Sequence, residues 1–216
     1  MRFVSIPKAM LDKLRTIREM LRIFRSGKEL GDVAVLKLTL FSDAEVPGEH
    51  SELVLGREEE NFRAIELDAL KAMPAGSFGE AYARFMGRNE LMPFNFSGRV
   101  RSLFARYPVS IRYVRVHDMI HVLLGFEADF VGEIGVYAFV AEQNYNQTLN
   151  RAARAARLFG KLMFWSRRRI QAAEARGVAL AATAKVLVAE RLETMLHRPL
   201  DEVRQELGLA DGVSGP

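Results

Sequence analysis

The sequence contains no cysteine among its 216 residues. Disulfide bonds, thiolate metal ligands and cysteine nucleophiles are therefore excluded. Histidine is also scarce, with four residues, so any site that needs imidazole has few positions to draw on. Long apolar runs are absent as well, because the most apolar late stretch, residues 178–189, contains a lysine and is too short to cross a bilayer. We therefore expect a chain that is not embedded in a membrane.

The composition that remains is that of a globular protein, with 49% hydrophobic and 27% charged residues. A chain of this length can bury a substantial core. We expect one mostly helical domain over residues 1–210 and a flexible tail at 211–216. The formal net charge of +4 favours an anionic partner, which could be a membrane surface, a nucleic acid or a phosphate-bearing substrate.

Apolar residues recur at helical spacing along much of the chain. Residues 10–24 combine an apolar stripe with a basic face, and the patterns at 114–124 and 170–196 are also helical. The spacing predicts an all-α fold. For residues 10–24, a helix that packs its stripe on the core is the commoner interpretation, and a basic helix on an anionic membrane is the alternative. Residues 31–61 contain a strand-like alternation, which we interpret as irregular or helical because no partner strand follows.

The stretch HDMIHVLLGFEADFVGE, residues 117–133, carries four possible metal ligands in an apolar setting. In a helix, His117 and His121 lie about 40° apart, so both imidazoles can reach one cation. Asp118 can provide a third ligand or an acid–base group. Gly125 is placed to end the helix, and Glu133 can point back from the first turn of the next one. Zinc suits this sulfur-free ligand set best, while iron, manganese and magnesium are also acceptable.

The alternative is a buried histidine pair without a metal, because single HxxxH spacings are common. Charged groups in such an apolar segment need partners, and this favours a site. Asp118 stands where zinc hydrolases with the HExxH motif have a glutamate base. Its side chain is one carbon shorter, so that mechanism is not transferable.

A second polar cluster follows in NRAARAARLFGKLMFWSRRRI. Four basic residues share one helix face, with a tryptophan nearby, and we interpret them as candidate contacts to lipid headgroups: Arg151, Arg154, Arg157, Lys161 and Trp165. The competing interpretation leaves the arginines solvated and buries the aromatic residues. A basic nucleic-acid-binding helical protein is a further alternative. Because no known DNA- or RNA-binding motif is present, we expect no nucleic-acid partner.

Three segments together resemble the coenzyme Q biosynthesis protein 4 family. They are the pattern His-Asp, two residues, His, eleven residues, Glu at 117–133, PAGSFGEAYARFM at 74–86 and ERLETMLHRPLDEVRQELGL at 190–209. The resemblance covers residues 61–210, and residues 1–60 match weakly. Val140 and Leu192 depart from the family pattern, and no mitochondrial leader is visible. These features indicate a divergent bacterial member.

This resemblance implies a helical ubiquinone-biosynthesis protein that binds a divalent metal through His117, Asp118, His121 and Glu133. It implies a polyprenylated hydroxybenzoate-type lipid as substrate, decarboxylation of the ring carbon with or without oxidation, and organisation of other ubiquinone-biosynthesis proteins at the membrane. A non-catalytic scaffold that binds an isoprenoid lipid and a structural metal is the alternative. We expect a cytoplasmic protein, peripheral on the inner face of the bacterial cytoplasmic membrane, and leave monomer and homodimer open.

Overall fold

The computed structural model describes residues 8–26, 30–40, 44–46, 48–160 and 167–209. Within these ranges the chain forms α-helices and short 3₁₀ turns without a β-strand, which confirms the predicted all-α single domain. The α-helices, in chain order, are α1 (Lys8–Ser26), α2 (Leu30–Thr39), α3 (Ser51–Leu55), α4 (Glu58–Phe62), α5 (Leu67–Lys71), α6 (Phe78–Arg88), α7 (Gly98–Leu103), α8 (Pro108–Leu124), α9 (Phe130–Gln143), α10 (Gln147–Gly160), α11 (Arg167–Thr183) and α12 (Leu200–Glu206). None of these described helices is long and apolar enough to cross a membrane.

Helix α8 lies at the centre of the fold. All of its residues except His117 are buried, which explains why its sequence lacks a clear polar face. It contacts α2, α3, α4, α6 and α9. The two histidines of the predicted metal site therefore project from the most enclosed helix of the described chain.

A buried carboxylate anchors the beginning of α8. The side chain of Glu45 accepts hydrogen bonds from the backbone N–H groups of Val109 and Ser110, at 2.9 and 3.0 Å. The Ser110 hydroxyl and the Asn146 amide also donate to it, at 2.8 and 2.9 Å. The carboxylate thus satisfies two backbone N–H groups that no helical carbonyl can reach. Burial nevertheless raises the pKa of Glu45 above its usual range, because the hydrogen bonds offset only part of the desolvation.

Helix α11 packs closely along α9. A Cβ atom added at Gly177 would lie 2.2 Å from the carbonyl oxygen of Gly135, so a side chain at this crossing has no room. The contact supports the full length of α9, whose first turn carries Glu133. The close approach of the two backbones thus fixes the direction from which this carboxylate reaches α8.

The long helix predicted over residues 170–196 is wrong in its second half, because α11 ends at Thr183. Beyond it, the chain forms two 3₁₀ turns, Leu187–Ala189 and Leu192–Met195. The Gln143 amide of α9 donates to the carbonyls of Ala184 and Lys185, at 3.3 and 3.0 Å, and accepts from the N–H of Leu187 at 3.0 Å. A side chain from another helix thus takes the partners that a continued α-helix would have used.

The described part of residues 31–61 contains helices and irregular segments, in agreement with the irregular or helical interpretation. Its strand-like alternation becomes α2, which buries Val35 and Leu36. The helix predicted for residues 10–24 is also confirmed as α1. The commoner interpretation, a stripe packed on the core, is wrong for Leu14, Ile17 and Leu21, while the side chains of Met10 and Phe24 lie outside the described ones. Four apolar side chains of α1 remain 40–51% exposed, namely Leu11, Leu14, Ile17 and Leu21.

We predict that Gly177→Ala destabilises the protein by about 1–3 kcal/mol, because overpacking forces two helices apart. Gly87→Ala is the matched control. Gly87 also lies within a helix, but a Cβ there meets nothing within 4 Å. Since alanine favours the helix by up to about 1 kcal/mol over glycine, the control variant should be as stable as the wild type or more so. Urea unfolding measures both values, and equal effects of the two substitutions would contradict the close α9–α11 packing.

Candidate metal centre

The end of α8 and the beginning of α9 form a sharp reversal around the predicted site. Gly125 ends α8 in the left-handed conformation, with φ of 64°, which glycine adopts without strain. Asp129 then caps α9 by accepting a hydrogen bond from the N–H of Gly132 at 2.8 Å. The cap residue lies four residues before Glu133, and α9, which begins at Phe130, directs the Glu133 side chain towards His117 and His121.

Three ligand atoms converge between the two helices. The Nε2 atoms of His117 and His121 are 3.5 and 3.3 Å from one carboxylate oxygen of Glu133, Oε1. All three atoms lie within 4.8 Å of one another. Ligand atoms that are each about 2.1 Å from a tetrahedral zinc are about 3.4 Å apart, so the separations to Glu133 are those a bound cation needs.

The contacts behind the imidazoles orient them for metal binding. The Nδ1 atom of His121 is 3.3 Å from the backbone carbonyl of Phe126, which can only accept a hydrogen bond, so Nδ1 carries the proton. The lone pair is then on Nε2, which is buried and makes no hydrogen bond despite its short separation from Glu133. A buried nitrogen without a hydrogen-bond partner is unfavourable unless something else binds it. The donor set therefore fits a divalent cation.

The second imidazole is held in a similar way. His117 Nδ1 is 3.0 Å from the hydroxyl of Tyr113, one turn earlier on α8. Phe85 of α6 stacks on the ring of His121, with ring centroids 5.7 Å apart. The sequence prediction missed these residues. Tyr113 precedes His117 by the same four residues that separate the two histidines, so its spacing was a usable signal, whereas nothing in the sequence pointed to Phe85.

Charge interactions couple the carboxylate to the imidazoles. Burial works against the ionised form of Glu133, but the adjacent imidazoles of His117 and His121 outweigh this effect and hold the pKa of the carboxyl well below its usual range. Burial likewise lowers the pKa of His117, but its hydrogen bond to Glu133 and the nearby negative charge more than compensate, so that the pKa is raised. A divalent cation would replace the proton that this arrangement attracts.

Asp118 is buried on the same helix, but its oxygens are not among the three converging ligand atoms. It lies about 60° around the helix from His121. Burial raises the pKa of its carboxyl, and the positive charge of His117 and His121 offsets only part of this shift. Its predicted role as a ligand or an acid–base group stays a prediction.

The structure describes three of the five predicted headgroup residues. Arg151 and Arg154 of α10 are exposed. Arg157 is half-buried and forms ion pairs with Glu174 and Glu142, at 2.8 and 3.4 Å. Lys161 and Trp165 lie outside the described residues.

The remaining histidines are distant in sequence from the centre. The first of them, His50, directly precedes α3. Its side chain is buried beside α3, with Nε2 3.4 Å from Glu49. His197 is exposed, which makes it a suitable control position.

The fold and the site define an all-helical protein with a candidate divalent-metal centre built from two imidazoles and one carboxylate. The family model for Coenzyme Q (ubiquinone) biosynthesis protein Coq4 matches residues 50–212, more than half of the chain. The chain therefore belongs to this family.

Similar proteins agree with this assignment. The chain is 33% identical over 92 residues to ubiquinone biosynthesis protein COQ4 homolog 2, mitochondrial, of Culex quinquefasciatus, covering 41% of this chain and 40% of that protein. It is 28% identical over 177 residues to the mitochondrial COQ4 homolog of Rattus norvegicus, covering 75% and 61%. The chain thus spans less than two thirds of these relatives. A crystal structure of a candidate ubiquinone biosynthesis protein from Nostoc punctiforme shares the fold, with a TM-score of 0.58 and 20% sequence identity. The match covers 94% of this chain and 97% of the Nostoc chain.

We predict that the pKa of His117 in the metal-free protein lies above its ordinary value of 6.5. A raised folded-state pKa means that the interaction with Glu133 stabilises the fold below pH 6.5 and is lost as pH rises through that pKa. In Glu133→Gln the pKa of His117 should fall, because burial is no longer opposed by the carboxylate. Nuclear magnetic resonance titration of the His117 ring, in protein treated with a chelator, measures both values. An identical pKa in wild type and variant would show that the two side chains do not interact.

Proposed function

We propose that the protein acts in ubiquinone biosynthesis and binds one divalent metal ion between α8 and α9. The observation that carries this proposal is the buried Nε2 of His121, which makes no hydrogen bond and faces Oε1 of Glu133 beside His117. Membership of the Coq4 family supports the pathway, and the curated relatives are named as ubiquinone biosynthesis proteins.

Zinc is the proposed metal. Two imidazoles and a carboxylate, without sulfur, are ordinary zinc ligands, and three protein ligands leave a position for a substrate oxygen. Iron, manganese and magnesium are the alternatives that the ligand chemistry allows. Asp118 is the proposed fourth protein group at this centre, either as a further ligand or as an acid–base group.

The proposed substrate is a polyprenylated hydroxybenzoate-type lipid. A bound divalent cation supplies a Lewis acid that orients the ring carboxylate and stabilises negative charge. His117 and His121 are held by their Nδ1 contacts, so the centre is preorganised on the rigid central helix. In simple decarboxylation the ring–carboxyl bond breaks, CO₂ leaves, and Asp118 is the proposed donor of the proton that takes the place of the carboxyl group on the ring carbon. The oxidative form instead puts a hydroxyl on that carbon and requires molecular oxygen with a reductant for the second oxygen atom.

A non-catalytic scaffold is the second candidate. In this case the metal stabilises the α8–α9 reversal, and the protein binds an isoprenoid lipid without converting it. The burial of His121 and the position of the centre in the core favour a structural role as much as they favour a catalytic one. Contacts with other ubiquinone-biosynthesis proteins belong to either form of the proposal, and a homodimer is compatible with both.

The proposed location is the inner face of a bacterial cytoplasmic membrane, where a polyprenylated substrate resides. The relatives are named as mitochondrial proteins. Exposed Arg151 and Arg154, together with Leu158, which is 66% exposed, form the proposed headgroup surface on α10. Because Arg157 forms ion pairs with Glu142 and Glu174, it contributes less charge to a membrane than its sequence position predicts.

We predict that His121→Ala weakens metal binding by more than about 100-fold, since even residues that only orient a ligand contribute about 10- to 100-fold. His197→Ala removes an exposed histidine and should retain full metal content. Elemental analysis of the purified proteins gives the metal identity and stoichiometry. Wild-type protein without metal, or a His121→Ala variant with full occupancy, would rule out the proposed centre.

We predict that Asp118→Asn separates the two proposed roles of Asp118, and that the wild-type protein in the same assay separates catalyst from scaffold. If Asp118 transfers a proton, the variant keeps its metal but releases carboxyl-labelled CO₂ from a polyprenyl hydroxybenzoate at least about 100-fold more slowly than wild type. If Asp118 is a ligand, metal content falls together with turnover. Wild-type protein that binds metal and lipid, yet releases no CO₂ with oxygen and a reductant present, would establish the scaffold.

A further inference from the structure

Helix α1 presents its apolar side to solvent. The exposed fractions of Leu11, Leu14, Ile17 and Leu21 are 40%, 42%, 42% and 51%. At about 100° per residue these four side chains fall within an arc of about 120°. Ile23, on the other side of the helix, is the buried residue that faces the fold. Four neighbouring apolar side chains on one exposed helix face form a contiguous patch, which is a feature of interaction sites.

Basic side chains lie within and beside this apolar patch. Arg18 and Arg25 fall inside this arc, between Leu11 and Leu14, and Arg15 and Arg22 continue around the helix beyond Leu11. Arg99 of α7 reaches the same region and pairs with Glu19. An open groove of about 410 Å³ is lined by four arginines and one glutamate, namely Arg15, Arg18, Arg22, Arg99 and Glu19.

We propose that this face of α1 docks on an anionic phospholipid bilayer, with the four apolar residues entering the interfacial layer and the arginine groove facing lipid phosphates. Leucine and isoleucine gain free energy by leaving water for the acyl boundary, and arginine binds phosphate through its planar donors. The inference rests on the proposed membrane-bound substrate and names the surface that would bring the metal centre to it.

The charge pattern distinguishes a membrane from a second copy of this chain. In a symmetric dimer through α1, the arginine-rich edge of one copy would meet the same surface of its partner, and like charges would oppose each other. Glu19 is the acidic residue of the groove and already has arginine partners in Arg22 and Arg99. An anionic surface, in contrast, matches both the apolar patch and its basic border.

Docking through α1 needs no unfolding. The four apolar side chains are already exposed, and α1 contacts the rest of the described fold mainly through α2. Substitutions on its outer face should therefore leave the core and the metal centre intact. This separation allows membrane binding to be tested independently of the metal.

The test is co-sedimentation with vesicles of phosphatidylglycerol and phosphatidylcholine, compared with vesicles of phosphatidylcholine alone. We expect Arg18→Glu/Arg25→Glu to weaken binding to the anionic vesicles at least about tenfold. Arg151→Glu/Arg154→Glu tests the competing headgroup surface on α10. Arg63→Glu/Arg84→Glu, at two exposed arginines that belong to neither surface, changes the net charge equally and is the matched control, which should bind as the wild type does. Leu14→Ser/Leu21→Ser should also weaken binding at least about tenfold without any change in charge.

Metal content and circular dichroism are measured for every variant and should equal those of the wild type. Loss of binding only in the α10 variant would overturn docking through α1 and assign it to α10. The inference is equally overturned if the wild type fails to bind anionic vesicles, if it binds generic DNA more tightly than vesicles, or if the α1 variants convert a dimer to a monomer. An intact metal centre alongside any of these results leaves the proposed function standing, whereas absence of metal with normal docking overturns only that proposal.

Discussion

The enclosure of α8 is the constraint on which the rest of the structure depends. A helix buried on every side must find a partner for each polar group that it carries into the core. Arg112 meets this requirement by pairing with Glu193, with Nη2 2.9 Å from Oε2, and by donating to Asn61 at 3.2 Å. At the beginning of the helix, the carboxylate of Glu45 accepts hydrogen bonds from two backbone N–H groups. These partners come from distant parts of the chain, so polar matching ties the short helices around α8 to one arrangement.

The candidate metal centre is one place among the described residues where this matching is incomplete, since Nε2 of His121 makes no hydrogen bond. His117 and His121 each have one nitrogen engaged, by Tyr113 and by the Phe126 carbonyl, and direct the other towards Glu133. The protonated pair of His117 and Glu133 compensates in part when no metal is bound. A cation completes the set better, because it satisfies both nitrogens and the carboxylate oxygen at once. A rigid, buried helix is a suitable support for such a centre, since its side chains have little freedom to move away from the ion.

On the surface, unlike in the core, charged and apolar side chains remain in contact with solvent. On α10, one arginine of the basic stripe forms ion pairs within the fold, and its neighbours remain in solvent. On α1, the apolar stripe faces outward beside an arginine groove. The candidate metal centre lies in the interior and the amphipathic helix α1 on the exterior, so the two features can act independently.

Local sequence determined the parts of this protein that depend on neighbours along one helix. The HxxxH spacing places two imidazoles on one face whatever surrounds them, and Gly125 ends α8 because its left-handed conformation suits glycine. Tertiary structure decided the rest. Glu133 reaches the histidines only because α9 folds back against α8, and Asp118 lies outside the group of three although it adjoins His117 in sequence. Likewise, α11 ends at Thr183 because Gln143 of another helix takes its hydrogen-bond partners, and the stripe of α1 is exposed because the core is already filled by other elements. Periodicity specifies which residues share a face, but only the packing of the whole chain specifies what that face meets.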